Sequence, residues 1–488
     1  MPAGTIILIV GYAINLLLLL LMIFVERKQP QSIFAWFAIL AVFPIGGFIL
    51  YILFGGGLSI RTRVYIRRKR RYTQDYLQFV SWQHINFDKL RAKNEKYDYA
   101  FKLIKFVKSN DNNVFSTGNK VEVFTNGIDK LESLKRDLLA AKRSINIEYY
   151  IFDDDKTGKE IMEILCQKAR SGVKVKLVYD SVGSLKAPRR FFKKLKKAGG
   201  QVAEFFPPFM GIRLINFKIN YRNHRKIVVI DGKIGYTGGI NLRDDHMGKK
   251  KRLSPWRDTH IRVQGPVVWD LQNIFFNDFR CAKREKLNAK QLVKEGYFLE
   301  QSLSDVGDVG AQVITSGPES TQRYIEDAYI RMISFAQKRI YLQTPYFIPD
   351  EMFLKSLIIA KKSGVDVKVM IPAKPDKRTV YYVTLSFVKE LLEADIEVYL
   401  YNGFLHSKTL LVDDLCVSIG TCNADNRSFA LNFELTTLLY DKDFVNKNAQ
   451  IFEEDMKSSK FLTLADYNRK FFASKMVQAI FRLFSPLL

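Results

Sequence analysis

A short pattern of chemically capable side chains occurs twice in this chain. His224-Arg225-Lys226, Asp231 and Gly238-Gly239-Ile240-Asn241 return as His406-Ser407-Lys408, Asp413 and Gly420-Thr421-Cys422-Asn423. Both copies read H-x-K-x4-D-x6-G-x-x-N. The 488 residues hold only five histidines, so composition alone does not produce two matched copies. Two imidazoles, two ammoniums and two amides suit phosphodiester chemistry. One neutral His attacks phosphorus, the other protonates the leaving alkoxide, and the Lys and Asn donors stabilise charge on the equatorial oxygens. A lysine beside each histidine repels a divalent cation and no ligand cluster accompanies them, so neither a metal nor any other cofactor is expected.

The flanking residues must position this set. Lys226 to Ile230 is an apolar run, Asp231-Gly232 is a tight-turn dipeptide and Lys233 to Tyr236 resumes the alternation, which predicts strand, turn, strand; Lys408 to Val412, Asp413-Asp414 and Leu415 to Ile419 repeat it. Strand side chains alternate between faces, so each His shares a face with the Lys two residues on, while the Asp falls on the other. The two Asp are therefore expected behind the site, holding the turn. An attacking imidazole also needs its second nitrogen anchored. Asp258, in Trp256-Arg257-Asp258-Thr259-His260, and Glu434, in Asn432-Phe433-Glu434-Leu435, each open an apolar stretch after a motif. An acid at a strand start is ordinarily a solvated end charge, so position alone leaves that role open.

The paired motifs resemble the phospholipase D superfamily, whose two H-K-D units build one metal-free site. Within it the chain is similar to the bacterial cardiolipin synthases. The features shared with them are two N-terminal apolar segments separated by Glu26 to Ser32, Ile147 to Phe152, Trp256 to His260, Thr344-Pro345-Tyr346-Phe347 and the terminal Leu483 to Leu488. The resemblance implies a catalytic set of His224, Lys226, Asp231, His406, Lys408 and Asp413. It implies phosphate binding by Asn241, Asn423, Gly239 and Thr421, and orientation of the histidines by Asp258 and Glu434. The implied reaction joins two phosphatidylglycerols into cardiolipin and glycerol through a phosphatidyl-histidine; the near symmetry of the motifs leaves the order of the histidines open, and His224 is taken as nucleophile with His406 as acid, then base. Thr421 stands where Ser is more usual, and Arg243-Asp244-Asp245-His246-Met247 departs from the family pattern. The alternatives are a membrane phospholipase D that hydrolyses, a transferase using another alcohol, a nuclease, and a non-catalytic lipid scaffold. Membrane segments argue against the nuclease, and complete residue sets in both halves argue against the scaffold.

Length and repetition give the organisation. Ser171-Gly172-Val173-Lys174 in one half echoes Ser363-Gly364-Val365-Asp366 in the other, each after a helical stretch and before its motif. The expected fold is α/β, with two pseudo-symmetric phospholipase D-like domains, each a mixed sheet flanked by helices. The expected boundaries are a membrane segment at 1–58, a basic linker at 59–108, catalytic domains at 109–300 and 301–470, and an amphipathic tail at 471–488.

The formal charge of +26 favours a polyanionic partner, nucleic acid or anionic lipid. The N-terminus selects lipid. Thr5 to Val25 and Ser32 to Phe54 carry no charge and are each long enough to span a bilayer core of roughly 30 Å. Two membrane helices are expected, with a re-entrant hairpin as the alternative because Pro44 and Gly46-Gly47 interrupt the second. The basic run from Arg61 to Arg71 places the catalytic body on the cytoplasmic side of a bacterial plasma membrane. Anionic phospholipids, phosphatidylglycerol and cardiolipin, are the expected partners, and no nucleic acid is.

Arg189 to Lys197 reads first as a domain helix with a charged outer face. The tail from Arg469 reads equally as a membrane helix or as one docked on the protein. Cys166, Cys281, Cys416 and Cys422 lack C-x-x-C spacing and read as reduced and buried. His84, His246 and His260 read as ordinary surface or core histidines.

Overall fold

A computed structural model describes residues 2–26, 30–51, 95–111, 114–207, 221–283, 289–298, 306–320, 322–471, 474–483 and 485. The basic run from Arg61 to Arg71, together with Arg27, Lys28, Trp82, His84, Phe87, Phe472 and Phe484, lies outside the described residues.

Each half contains three parallel strands. In the first these are Ser144–Tyr149, Lys174–Asp180 and Gln201–Phe205; in the second, Arg339–Gln343, Asp366–Pro372 and Glu397–Tyr401. Helices Lys156–Arg170 and Glu351–Lys362 connect the first two strands of each set, and their starts are fixed alike. Asp155 accepts from the Gly158 N–H at 3.0 Å and Asp350 from the Phe353 N–H at 2.9 Å. They also end alike, because the echoed Ser-Gly-Val reverses the chain at Gly172 (φ 89°) and Gly364 (φ 91°), a conformation that suits glycine. The parallel strands are apolar and covered by helices, as buried parallel sheet requires.

The motif hairpins then add antiparallel strands. Ile227–Ile230 pairs with Ile234–Gly238 and Thr409–Val412 with Cys416–Gly420, so each sheet is mixed. His260–Gln264 and Asn432–Tyr440 flank the second strand of each hairpin. Between the halves, Phe115–Phe124 bonds His260–Gln264 on one side and Val309–Ser316 on the other, and Val309–Ser316 bonds Asn432–Tyr440. One continuous sheet therefore runs through both halves, where the sequence suggested two. Two strands distant from the motifs supply the seam.

The N-terminal segment differs from the expected pair of spanning helices. Ala3–Phe24 is long and apolar enough to cross a membrane. The second apolar segment is divided into Pro30–Val42 and Pro44–Leu50, with a break at Phe43. Thirteen residues of helix reach about 20 Å, short of a bilayer core. The cause is Pro44, which has no N–H for the Leu40 carbonyl. Asn15 of the first helix replaces that donor, its Nδ2 lying 3.2 Å from Leu40 O and 3.0 Å from Pro44 O.

The basic helix Arg189–Lys197 buries Phe191, Phe192 and Leu195 and turns its cations outward, with Phe192 stacked on Tyr179 at 3.7 Å. The tail helix Lys475–Arg482 docks on Arg378–Glu393 through Phe481 against Tyr382 and Arg482 to the Ser386 carbonyl. Its Met476, Ile480 and Leu483 remain exposed. Cys166, Cys416 and Cys422 are buried and Cys281 half-buried, all as free thiols.

Candidate active site

Two short parallel ladders cross between the halves and set the site. Phe404 and Leu405 pair with Trp256 and Arg257, so the next residues along the two strands are His406 and Asp258. Arg222 and Asn223 pair with Asn432 and Phe433, followed by His224 and Glu434. The His406 N–H donates to Arg257 O at 2.6 Å and the His224 N–H to Phe433 O at 2.9 Å, which locks both registers. Each half thus supplies the acid for the other half's histidine. His406 Nδ1 lies 2.7 Å from Asp258 Oδ2, and His224 Nδ1 lies 2.9 Å from Glu434 Oε1 and 3.1 Å from Thr421 O.

These acceptors fix the tautomers. A carboxylate and a carbonyl only accept, so Nδ1 carries the proton and Nε2 keeps its lone pair. Burial lowers the His224 pKa to about 4, assisted by Lys226 and opposed by Glu434. Burial also holds His406 well below the ordinary histidine value, with Lys408 adding to the effect and Asp258 opposing it. Burial pushes the Asp258 and Glu434 carboxyls upward, but the facing histidines and lysines outweigh it, and both acids stay ionised.

Both lysines are buried; Lys226 donates to the His224 carbonyl at 2.6 Å, and Lys408 donates to the His406 carbonyl. Desolvation lowers Lys226 to about 7 and Lys408 to about 8. Lys408 depresses Lys226 directly, and Asp258 and Glu434 raise both, so the two motifs share one electrostatic pocket. Asn241 accepts from the Ile151 N–H at 3.2 Å, leaving its amide hydrogens inward. Asn423 donates to Asp425 at 3.0 Å, and its buried carbonyl has no hydrogen-bond partner among the described residues.

Other residues of the sequence reading sit elsewhere. Asp231 and Asp413 stand outside the pocket at the hairpin turns. Asp231 accepts from the N–H groups of Lys142, Arg143 and Ser144 at 2.7–2.9 Å, and Asp413 from those of Gln337, Lys338 and Arg339 at 2.8 Å. They belong to the motif but tie its turn to the start of a parallel strand. Gly239 and Thr421 face the acids, and their own N–H groups are engaged by Thr259 O and Leu435 O at 2.8 Å, which leaves neither free for phosphate. A Cβ at Gly239 would lie 1.9 Å from Asp258 Oδ1. At the matching position the Thr421 hydroxyl donates to Glu434 Oε2 at 2.5 Å.

Three residues escaped the sequence reading. Tyr150 packs its ring edge-to-face on His224 at 4.8 Å. Arg225, between the motif His and Lys, is fully buried; it bonds Asp278 at 2.6 Å and Glu434 O at 3.0 Å, and so clamps the halves together. His246 lies against Trp256 at 4.2 Å and against His406 at 5.1 Å, inside the site. His260, by contrast, is a core histidine on its strand. His246, Asp258 and His406 hold ligand-type atoms within 4.8 Å of one another, but a divalent ion there would share the pocket with Lys226 and Lys408.

A duplicated α/β half whose histidine is held by an acid of its copy, with the two motif lysines in one electrostatic pocket, defines a phospholipase D-like protein. The family model described as "Cardiolipin synthase, PLD-like domain" matches residues 134–252 and 329–456, and the one described as "Phospholipase_D-nuclease N-terminal" matches residues 13–56. The chain belongs to the phospholipase D-like cardiolipin synthase family. It is 40% identical to the major cardiolipin synthase of Bacillus subtilis (strain 168), covering 100% of each chain. It is 40% identical to the cardiolipin synthase of Oceanobacillus iheyensis over 98% of each, and 38% identical to that of Listeria innocua over 99% of this chain and 98% of that one. The solved structure of phosphatidylserine synthase from Haemophilus influenzae Rd KW20 has a TM-score of 0.60, covering 79% of this chain and 100% of that one at 13% identity, a likeness of fold.

Proposed function

We propose that this chain is a cardiolipin synthase that joins two phosphatidylglycerols by two phosphatidyl transfers at one pocket. The observation that carries the reading is the crossed pair of His–acid contacts, which presents two neutral imidazoles beside two desolvated lysines. In the first transfer His406 takes up a proton on Nε2 from solvent as the anionic substrate enters, His224 Nε2 attacks phosphorus, the P–O bond to glycerol breaks, and His406 donates that proton to the leaving alkoxide. In the second, His406 removes the proton from the terminal hydroxyl of another phosphatidylglycerol. That oxygen attacks phosphorus, the P–N bond breaks, and His224 is released. Glu434 and Asp258 stabilise the positive charge that develops on each ring. Lys226, Lys408, Asn241 and Asn423 face the phosphate oxygens, where low dielectric strengthens each contact.

The helix Ala3–Phe24 anchors the enzyme at the bilayer where both substrates reside, with its basic body on the cytoplasmic face. The exposed Met476, Ile480 and Leu483 of the tail helix face lipid.

Purified enzyme in vesicles of phosphatidylglycerol alone is the test. Cardiolipin and free glycerol, both absent with His224→Ala, are expected. Phosphatidic acid without cardiolipin would replace transfer by hydrolysis.

A further inference from the structure

The loop that departs from the family pattern brings a third imidazole into the site. Its short helix Asp244–Met247 is held firmly, since Asp244 accepts from Thr157 N at 3.0 Å and Thr157 Oγ1 at 2.6 Å while its own N–H donates to Asp155 at 2.7 Å. Gly127 lets it close in, because a Cβ there would meet the His246 carbonyl at 2.2 Å. His246 is thereby 3% exposed, too little for a surface histidine.

Its ring is held between Asn241 and Asp258. The Ile151 N–H fixes Asn241 Oδ1, so the other end of that amide, Nδ2, is the donor facing His246 Nε2 at 3.2 Å. His246 Nδ1 meets the Asn241 backbone N–H at 3.4 Å and lies 3.6 Å from Asp258 Oδ2, close enough for an electrostatic contact with that carboxylate. That oxygen also receives His406 Nδ1 at 2.7 Å. Around Glu434 in the other half, the additional partners are the Thr421 hydroxyl and the Asn432 amide at 3.1 Å, neither of which titrates.

We infer that His246 is a positioning residue of the transfer reaction: it fixes the Asn241 amide and shares the Asp258 carboxylate with His406, making the two halves chemically unequal. A carboxylate divided between two rings holds the His406 imidazolium less tightly than Glu434 holds that of His224. His406 then releases its proton more readily and serves as the acid, while His224 serves as nucleophile. This inference rests on the transfer chemistry proposed above. The titratable and charged groups facing His246 are Asp258 and His260 from the acid strand, Lys226 from its own half, and His406 and Lys408 from the other. Burial lowers its own pKa to about 4, so it is neutral in the working range.

The test compares His246→Phe, which keeps an aromatic ring on Trp256, with His246→Gln, whose amide offers both an acceptor and a donor. Full-length enzyme is assayed on phosphatidylglycerol vesicles across pH. The Phe variant should lose about 10- to 100-fold in kcat with KM changed less than about twofold, and shift the acid limb of the kcat profile. The Gln variant should recover much of the loss. Wild-type kcat and pH profile in the Phe variant would overturn the inference, as would equal losses in both variants with an unshifted profile. If the Phe variant does not fold, Gln is compared with Asn, which is too short to bridge Asn241 and Asp258; equal kcat in these two overturns it. Failure of wild-type enzyme to make cardiolipin would instead refute the transfer reading itself.

Discussion

His406 of the second half stands 2.7 Å from Asp258 of the first, and His224 repeats the relationship in the opposite sense with Glu434 at 2.9 Å. Neither half contains a complete dyad. Asp258→Asn and Glu434→Gln preserve shape while removing the charge that stabilises an imidazolium. Each should lower kcat by about 100- to 10,000-fold on phosphatidylglycerol vesicles, and His224→Ala or His406→Ala should abolish turnover. Wild-type turnover in either acid variant would reduce that acid to a structural group.

The desolvated lysines make anion binding a protonation event. Lys226 at about 7 and Lys408 at about 8 are partly neutral in the empty site near pH 8, and a phosphate oxygen restores their charge. Binding of inorganic phosphate should therefore take up protons, read by calorimetry in buffers of different ionisation enthalpy, and affinity should fall as pH rises through about 7 to 8. Linkage has the corresponding sign. Unfolded lysine keeps its proton up to 10.5, so between about 7 and 10.5 the unfolded chain binds more protons and the empty enzyme gains stability with rising pH. His224 and His246, lowered from 6.5 to about 4, give a second loss of stability as pH falls across that interval. Melting temperature followed against pH, with and without phosphate, measures both.

Asn15 compensates for the backbone break that Pro44 imposes. Asn15→Leu should leave the Leu40 and Pro44 carbonyls without this donor and destabilise the N-terminal hairpin by about 1–2 kcal/mol. Denaturation in detergent micelles would report it. Pro44→Ala in the same background should recover stability by restoring a backbone donor to Leu40, and no recovery would contradict the compensation.

Much of the site was legible because strand parity and identical spacing act locally: His and Lys two apart must share a face, and an Asp at the turn must leave it. The donor of each acid was not legible, since the crossing ladders at Trp256-Arg257 and Arg222-Asn223 are two-residue pairings between distant segments. His246 was hidden for a different reason. Nothing in Asp244 to Met247 marks it as buried; the burial comes from contacts to Asp155, Thr157 and Gly127 in another part of the half. Nothing near Arg225 in the sequence marks its partner, because Asp278 stands 53 residues on. The break at Pro44 was visible in the sequence, but its effect on helix length was not, because charge-free length alone does not register a missing N–H.

The central claim is that one pocket, assembled from both halves, carries the phosphatidyl group on His224. Reacting the enzyme with phosphatidylglycerol, quenching in alkaline denaturant to preserve phosphohistidine, and mapping the adduct by mass spectrometry tests it directly. The account predicts a phosphatidyl adduct on His224 that disappears when a second phosphatidylglycerol is allowed to react and that never forms in His406→Ala. An adduct on His406, or turnover with no adduct on either histidine, would contradict it.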